Sequence, residues 1–417
     1  MLSIQKRLTS TFYVLTSLPA TAMGFALSIQ ISALSWLLTT KYNLHIDEVG
    51  FVWAAGPLAG IFGQVIIGLI SDKAWFWGGR RRPFVLIGGV LAAGMLMALP
   101  NIDVIDAQLG IGSLLAVAIG VALTLDLAIN ISFNPTRSII ADVTPEGNPR
   151  TKGYTWMQTI SGFFGVLAYV IGATLGNYVL ISVGVALVFL FSVVPMFFIT
   201  EKKELHAAAG NEAENNARSA TEWGQLFRIY FAHGFSWIGI QTMFVYIIAY
   251  IQQKFFTGVA DQAVINAESG QIIAIAFAVL NTVGFILPAL VLEPIVEKIG
   301  RVKTHMLCVA IMSLGYFGIV LLGTTPLALY VLMAVAGIGW AAVVSLPFAI
   351  MTEKVDKGRT GFFMGIFNLS VVVPQLLVSL VVGTVILNAS DKNVIFIISG
   401  ISLALSAMLW TTVKEKR

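Results

Sequence analysis

Long apolar runs constrain the fold of this sequence more than any other feature. Each is about 20 residues long, the length at which an α-helix crosses the hydrocarbon core of a bilayer. Of the 417 residues, 57% are hydrophobic and 11% are charged, which is too apolar for a soluble protein of this length. We place twelve runs at about 11–38, 49–71, 83–100, 110–136, 154–177, 179–200, 224–251, 270–292, 304–323, 326–351, 361–387 and 393–413. The sequence therefore predicts an all-α integral membrane protein with twelve transmembrane helices.

Basic residues are unevenly distributed between the two ends of these runs. If the N-terminus is cytoplasmic, only Lys41, Lys254 and Lys392 of the 25 lysines and arginines fall on the outer side. This asymmetry follows the positive-inside rule and predicts a multi-pass protein of the cell inner (plasma) membrane with both termini in the cytoplasm. The basic pI of about 9.1 is thereby explained by membrane insertion. We predict no nucleic-acid partner.

A hydrophilic interruption divides the runs into six and six. It covers 201–223, is rich in Ala, Asn and Glu, and has no apolar periodicity. Its position predicts an N-terminal six-helix bundle (1–200), a cytoplasmic central loop (201–223) and a C-terminal six-helix bundle (224–417). The two halves also contain similar segments, since "GLISDKAWFWGGRRRPF" follows the second run and "EPIVEKIGRVK" follows the eighth. Each places an acid and a lysine ahead of Gly-Arg and further basic residues. An internal repeat of this kind is typical of two related bundles.

One acidic residue lies near the middle of an apolar run. Asp126 belongs to the fourth run, where an ionised aspartate costs about 2.5–3.5 kcal/mol on insertion scales. Taking up a proton removes that cost, so we predict that Asp126 binds and releases a proton during function. The alternative is a structural aspartate bonded to a neighbouring helix. Asp126, Asn130, Asn134 and Arg137 recur at helical spacing and share one polar face.

Four segments carry a resemblance to a known family. The most specific is "DLAINISFNPTRSIIAD" (126–142), followed by "SDKAWFWGGRRRPF" (71–84), "SLPFAI" (345–350) and "MGIFNLSVVVPQLLVSL" (364–380). With the twelve runs, they resemble the sucrose transporters and the related glycoside-pentoside-hexuronide:cation symporters of the major facilitator superfamily. The resemblance implies the major facilitator fold, with two six-helix bundles that rock about a midplane site. It also implies symport of a disaccharide or other glycoside with a proton.

The resemblance implies which residues contact the substrate, because spans one, four, seven and ten line the cavity in that superfamily. The expected contacts are Gln30, Asn130, Trp237, Gln241 and Trp340. An indole stacks on the apolar face of a pyranose, while an amide bonds its hydroxyls. For Asn130, a hydrogen bond between helices is an equal alternative. His233, one turn before Trp237, is either an interfacial histidine or a proton relay.

Charged residues at the predicted cytoplasmic rim form a second group, consisting of Asp72, Arg80, Arg137 and Asp142. In the superfamily, residues at matching positions form ion pairs that hold the cytoplasmic side shut. The resemblance therefore implies a cytoplasmic gate. Positive-inside topology explains the neighbouring Arg81 and Arg82 at least as well.

The function predicted from these residues is proton-coupled import of a disaccharide or other glycoside, of the sucrose or maltose type, by alternating access. One buried carboxylate with no second acid nearby favours a proton over sodium as the coupling ion. We expect a small-molecule sugar and the lipid bilayer as partners of a monomer.

Two alternatives keep the same fold. One is a proton-coupled exporter of a hydrophobic compound, and the other is a membrane assembly factor that transports nothing. An enzyme is not expected, since the sequence has no Ser-His-Asp set, metal-ligand cluster or phosphate-binding loop. We predict no bound metal and no cofactor.

Overall fold

The computed structural model describes residues 3–60, 70, 75–145, 148–201, 221–287, 291–355 and 360–415. In the first half, the α-helices are α1 (Ser3–Lys6), α2 (Ser10–Ile29), α3 (Ser35–Thr40), α4 (Ile46–Trp53), α5 (Arg82–Ala98), α6 (Ile102–Leu109), α7 (Leu114–Val143), α8 (Asn148–Leu175) and α9 (Asn177–Val193). In the second half, they are α10 (Trp223–Phe255), α11 (Gln262–Leu287), α12 (Glu293–Ile299), α13 (Arg301–Leu322), α14 (Pro326–Thr352), α15 (Thr360–Leu377), α16 (Gly383–Asn388) and α17 (Val394–Trp410).

Ten of the described helical stretches are long and apolar enough to cross a membrane, and α17 is a shorter apolar helix. Together they correspond to eleven of the twelve predicted runs. The predicted second run, 49–71, is described only at 49–60 and 70, and the predicted central loop only at its ends. The prediction of an all-α membrane fold is confirmed.

Polar residues at the helix ends explain where several spans begin. The hydroxyls of Ser113 and Thr325 accept the backbone N–H groups of Ala116 and Ala328, and so cap the first turns of α7 and α14. The eighth span begins at Gln262, eight residues before the predicted start at 270, because Asp261 caps its polar first turn. The prediction from polarity alone therefore placed the start of the eighth span too far along the chain.

The chain forms two compact units, Met1–Asn43 with Ala55–Asn211 and Leu44–Ala54 with Glu212–Arg417. In the first unit, α5 packs on α7 and α9, and α2 packs on α8 and α9. In the second unit, α13 packs on α14 and α17, and α10 packs on α15 and α17. The third span of each half thus contacts the fourth and sixth, and the first contacts the fifth and sixth. The sequence repeat is matched by this shared packing.

Small residues allow close helix approach in both units. In the first, a side chain at Gly89 of α5 would overlap Ser192 of α9. In the second, α4 lies against spans seven and eleven, where a side chain at Gly50 would overlap the Ser379 carbonyl and the Tyr246 hydroxyl. Glycine at these positions is required by the packing, as is common between membrane helices.

Two spans contain a π-helical turn. One is Gln30–Leu34, between α2 and α3, and the other is Val378–Val382, between α15 and α16. A π turn inserts one residue into the helix and so rotates the side chains that follow, and such turns are frequent at functional sites. The first turn carries Gln30, a predicted site residue.

Candidate functional site

The carboxylate of Asp126 lies inside the first unit. The residue is 6% exposed, and its Oδ2 accepts a hydrogen bond of 3.0 Å from Nε2 of Gln30. Gly56 lies close to the same carboxylate, since a Cβ at that position would be 3.2 Å from Oδ2. Among the described residues, no lysine or arginine pairs with Asp126. The acid is therefore held by an uncharged donor against a helix backbone.

Two elements bring this pair together. Asp126 lies on α7, a continuous helix of 30 residues, and Gln30 is the first residue of the π turn in span one. Asn130, one turn along α7, is half-buried, and its Nδ2 donates to the backbone carbonyl of Asp126 at 2.8 Å. The structure thus groups three predicted residues, although Asn130 reaches the backbone of Asp126 and not its carboxylate. The side chain of Asn134 lies outside the described part of the chain.

The predicted aromatic residues meet in the second unit. The rings of Trp237 on α10 and Trp340 on α14 are T-shaped, with centroids 6.1 Å apart, and both residues are half-buried. Nε1 of Trp237 donates to Nε2 of His233 at 3.0 Å, and Nε1 of Trp340 donates to Oδ1 of Asn281 at 3.2 Å. Phe244 packs edge-on to Trp340 at 5.4 Å. These contacts fix an aromatic surface whose polar atoms are already bonded.

Gln241 is close to this surface along α10. It is 3% exposed, and its Oε1 accepts a hydrogen bond of 3.2 Å from Nε2 of Gln375 on α15. Gln375 belongs to the segment 364–380 that carried the resemblance, but it was not among the predicted substrate contacts. The amide pair offers further donors and acceptors of the kind that bind hydroxyls.

The predicted rim residues are only partly brought together. Arg80 Nη2 lies 2.7 Å from Asp142 Oδ2, and Arg81 Nε lies 3.4 Å from the same oxygen. Positive-inside topology was enough to explain Arg81 in the sequence, but in the structure Arg81 also pairs with Asp142. Arg137 is exposed, and its guanidinium lies over the Phe133 ring at 4.2 Å. Asp72 lies outside the described residues.

A rim residue that sequence reasoning missed is Glu201. Its carboxylate is 6% exposed and accepts the backbone N–H groups of Arg80, Arg81 and Arg82 at 2.8–3.1 Å. These are N–H groups at the start of α5, where an acid satisfies unpaired donors and complements the helix dipole. Glu201 therefore fixes the loop that carries the Arg80–Asp142 pair.

The second unit repeats this arrangement. Glu415, after the last span, accepts the backbone N–H groups of Arg301 and Val302 at the start of α13. The Arg301 side chain pairs with Glu353 at the end of α14, as Arg80 pairs with Asp142 at the end of α7. An acid placed after the last span of each half was the signal in the sequence that could have found both carboxylates.

Two units of similarly packed apolar helices, one with a buried carboxylate and the other with an aromatic surface, define a multi-pass membrane protein. The model of the Major Facilitator Superfamily matches residues 17–379. The chain belongs to this family. It is therefore a membrane transporter and not an enzyme, and the predicted major facilitator fold is confirmed.

Two sucrose transport proteins match most of the chain at low identity, and an alpha-glucoside permease matches a shorter part. The sucrose transport protein SUC4 of Arabidopsis thaliana is 23% identical over 426 residues, which cover 86% of this chain and 81% of the relative. The sucrose transport protein SUT2 of Oryza sativa subsp. indica is 24% identical over 430 residues, covering 86% and 85%. The general alpha-glucoside permease of Schizosaccharomyces pombe is 28% identical over 175 residues, covering 37% and 31%.

Solved structures share the fold. A D-xylose-proton symporter superposes with a TM-score of 0.71 at 16% identity, covering 97% of both chains. The nucleoside transporter NupG also gives 0.71, at 12% identity, covering 97% of this chain and all of the other. At such identities the likeness defines the fold alone.

Proposed function

We propose that this protein is a proton-coupled symporter that imports a disaccharide or other glycoside by alternating access. The full-length relatives named for sucrose transport support a sugar as the substrate. The single observation that carries the coupling is the buried Asp126, whose carboxylate is held by the Gln30 amide. A multi-pass monomer in the plasma membrane, with both termini in the cytoplasm, completes the proposal.

The hydrogen bond between Gln30 and Asp126 supplies the coupling step. When Asp126 is ionised, its carboxylate is a strong acceptor and holds one N–H of the Gln30 amide. A proton from the outside neutralises the acid and weakens this bond, so that the amide can turn to a sugar hydroxyl. The loaded carrier is then neutral at Asp126 and avoids moving a buried charge. Loss of the proton to the cytoplasm returns Gln30 to Asp126 and helps to release the sugar.

The coupling ion in this proposal is the proton. A carboxylate oxygen that faces an amide N–H is suited to exchange a proton, whereas the same positively polarised hydrogen repels a metal cation. A sodium ion also requires several oxygen ligands around it. Gln30 therefore favours proton coupling over sodium coupling.

Transport by the purified protein in liposomes tests this proposal. The liposomes hold a pH dye, and their lumen is more alkaline than the medium. Adding sucrose or maltose to the medium should then acidify the lumen as the sugar accumulates. Sorbitol at equal osmolarity should have no effect. A protonophore should abolish accumulation but not equilibration. Sugar entry without proton entry would refute the coupling, and no entry of any glycoside tested would refute the substrate class.

Gly56 provides a test of the Asp126 environment. In Gly56→Ala, the new Cβ would lie 3.2 Å from Oδ2 and would have to displace the carboxylate by a few tenths of an ångström. We expect sugar accumulation to fall about three- to tenfold, since small misplacements of reacting groups have large effects. The larger Gly56→Val should reduce it further.

The matched control is Gly120→Ala on α7, where nothing lies within 4 Å of the added Cβ. It should accumulate sugar like the unmodified protein. Equal accumulation in Gly56→Val and Gly120→Ala would show that the position of the carboxylate is irrelevant.

A further inference from the structure

We propose that His233 and Asn281 are positioning residues that hold Trp237 and Trp340 by their indole N–H groups, so that the pair presents ring faces and no free donor to the substrate. This inference rests on the proposed function, because it names the chemistry by which the second unit recognises a sugar. It assigns the aromatic pair to the C–H face of a sugar ring, and leaves the hydroxyls to amide groups such as those of Gln241 and Gln375.

The histidine is buried and stacked on a second aromatic ring. His233 is 1% exposed, and its ring stacks on Phe367 with centroids 4.8 Å apart and an interplanar angle of 18°. Its Nε2 accepts the N–H of Trp237 at 3.0 Å, so this nitrogen carries a lone pair and the imidazole is neutral, with its proton on Nδ1. A proton relay through His233 would need Nε2 to be free. The observed bond instead makes His233 an acceptor that fixes the indole.

Asn281 performs the same task from a neighbouring helix. Its Nδ2 donates to the Phe277 carbonyl one turn back on α11 at 2.9 Å, which turns Oδ1 toward the N–H of Trp340. Gly284, also on α11, leaves the space for that indole, since a Cβ there would lie 2.5 Å from Trp340 Cδ1. Two features of α11 therefore hold the position of Trp340.

The hydrogen bonds decide what the aromatic pair can recognise. An indole offers a single donor, and here each donor is taken by a protein acceptor. What remains on these two half-buried residues is aromatic surface, which binds C–H groups and excludes water. If an acceptor is lost, the indole N–H is left without its protein partner and the ring is no longer held in this orientation. Substrate affinity should then fall without a change in the proton site.

Variants at His233 separate positioning from packing. His233→Phe keeps a ring on Phe367 but removes the acceptor, whereas His233→Gln places an amide oxygen near the position of Nε2. We expect His233→Phe to raise the KM for sugar exchange about tenfold, with kcat within about twofold, and His233→Gln to restore most of the affinity. Asn281→Leu should act as His233→Phe does, through Trp340.

A second measurement needs no substrate. The indole N–H band in ultraviolet resonance Raman spectra of the sugar-free protein should show one fewer bonded tryptophan in His233→Phe, and in Asn281→Leu, than in the unmodified protein. His233→Phe should also have little further effect on KM in a Trp237→Phe background, because the group that it positions is then absent.

An unchanged Raman band, or a KM for His233→Gln as high as that of His233→Phe, would overturn the inference. Additive effects of His233→Phe and Trp237→Phe would do the same. If the band shifts as expected but no glycoside is transported by the unmodified protein, the positioning stands and the proposed function fails. The two failures are thus distinguishable.

Discussion

Asp126→Asn is expected to abolish sugar accumulation driven by a pH gradient, by about a hundredfold or more, while sugar exchange across the membrane continues. The asparagine is nearly isosteric and keeps an oxygen that can accept from Gln30, but it cannot bind or release a proton. The carrier then behaves as the permanently neutral form. Accumulation and equilibrium exchange of labelled sugar in proteoliposomes, measured side by side, test this expectation.

The control is Asp106→Asn. Asp106 is an acid on α6, just before α7, and it accepts the backbone N–H of Ser113. It should keep both accumulation and exchange. If Asp126→Asn lost exchange as fully as accumulation, Asp126 would be a structural residue and the coupling proposal would fail.

Glu201→Ala is expected to produce the largest loss of stability. The change removes the acceptor of three backbone N–H groups at the start of α5 and leaves them unpaired. Buried donors without a partner cost about 1–3 kcal/mol each, and partial access of water at a helix end reduces the total, so we expect a loss of about 2–4 kcal/mol. Glu201→Gln keeps one acceptor oxygen and should lose roughly half as much.

Tryptophan emission during heating makes this loss measurable, and the single cysteine reports the second unit separately. Cys308 is 6% exposed on α13, so its reaction with a maleimide dye on heating follows unfolding of the second unit, while tryptophan emission follows both units. Glu415→Ala leaves two N–H groups at the start of α13 without an acceptor. It should therefore lower the unfolding midpoint that the maleimide reaction of Cys308 reports. A tryptophan-emission midpoint for Glu201→Ala equal to that of the unmodified protein would refute the proposed capping role.

The spans could be read from the sequence because a bilayer imposes one length and one polarity on every helix that crosses it. Boundaries failed where polar residues remained helical, as at Gln262, since a local cap and not hydropathy decides the first turn. The buried acid could also be found, because a carboxylate in the middle of an apolar run is costly and therefore stands out in the sequence. Its partner could not, since Gln30 is 96 residues away in the chain.

Depth and composition thus determined the class of protein, the number of predicted spans, the predicted orientation and the choice of Asp126 as the predicted proton-binding acid. The tertiary structure alone decided the hydrogen-bond partners. Gln30 bonds to Asp126, His233 and Asn281 bond to the two tryptophans, and Glu201 bonds to the start of α5. The reason is physical. Burial cost is a property of one residue at one depth, whereas a hydrogen bond depends on an angle and a distance between helices that no single segment encodes.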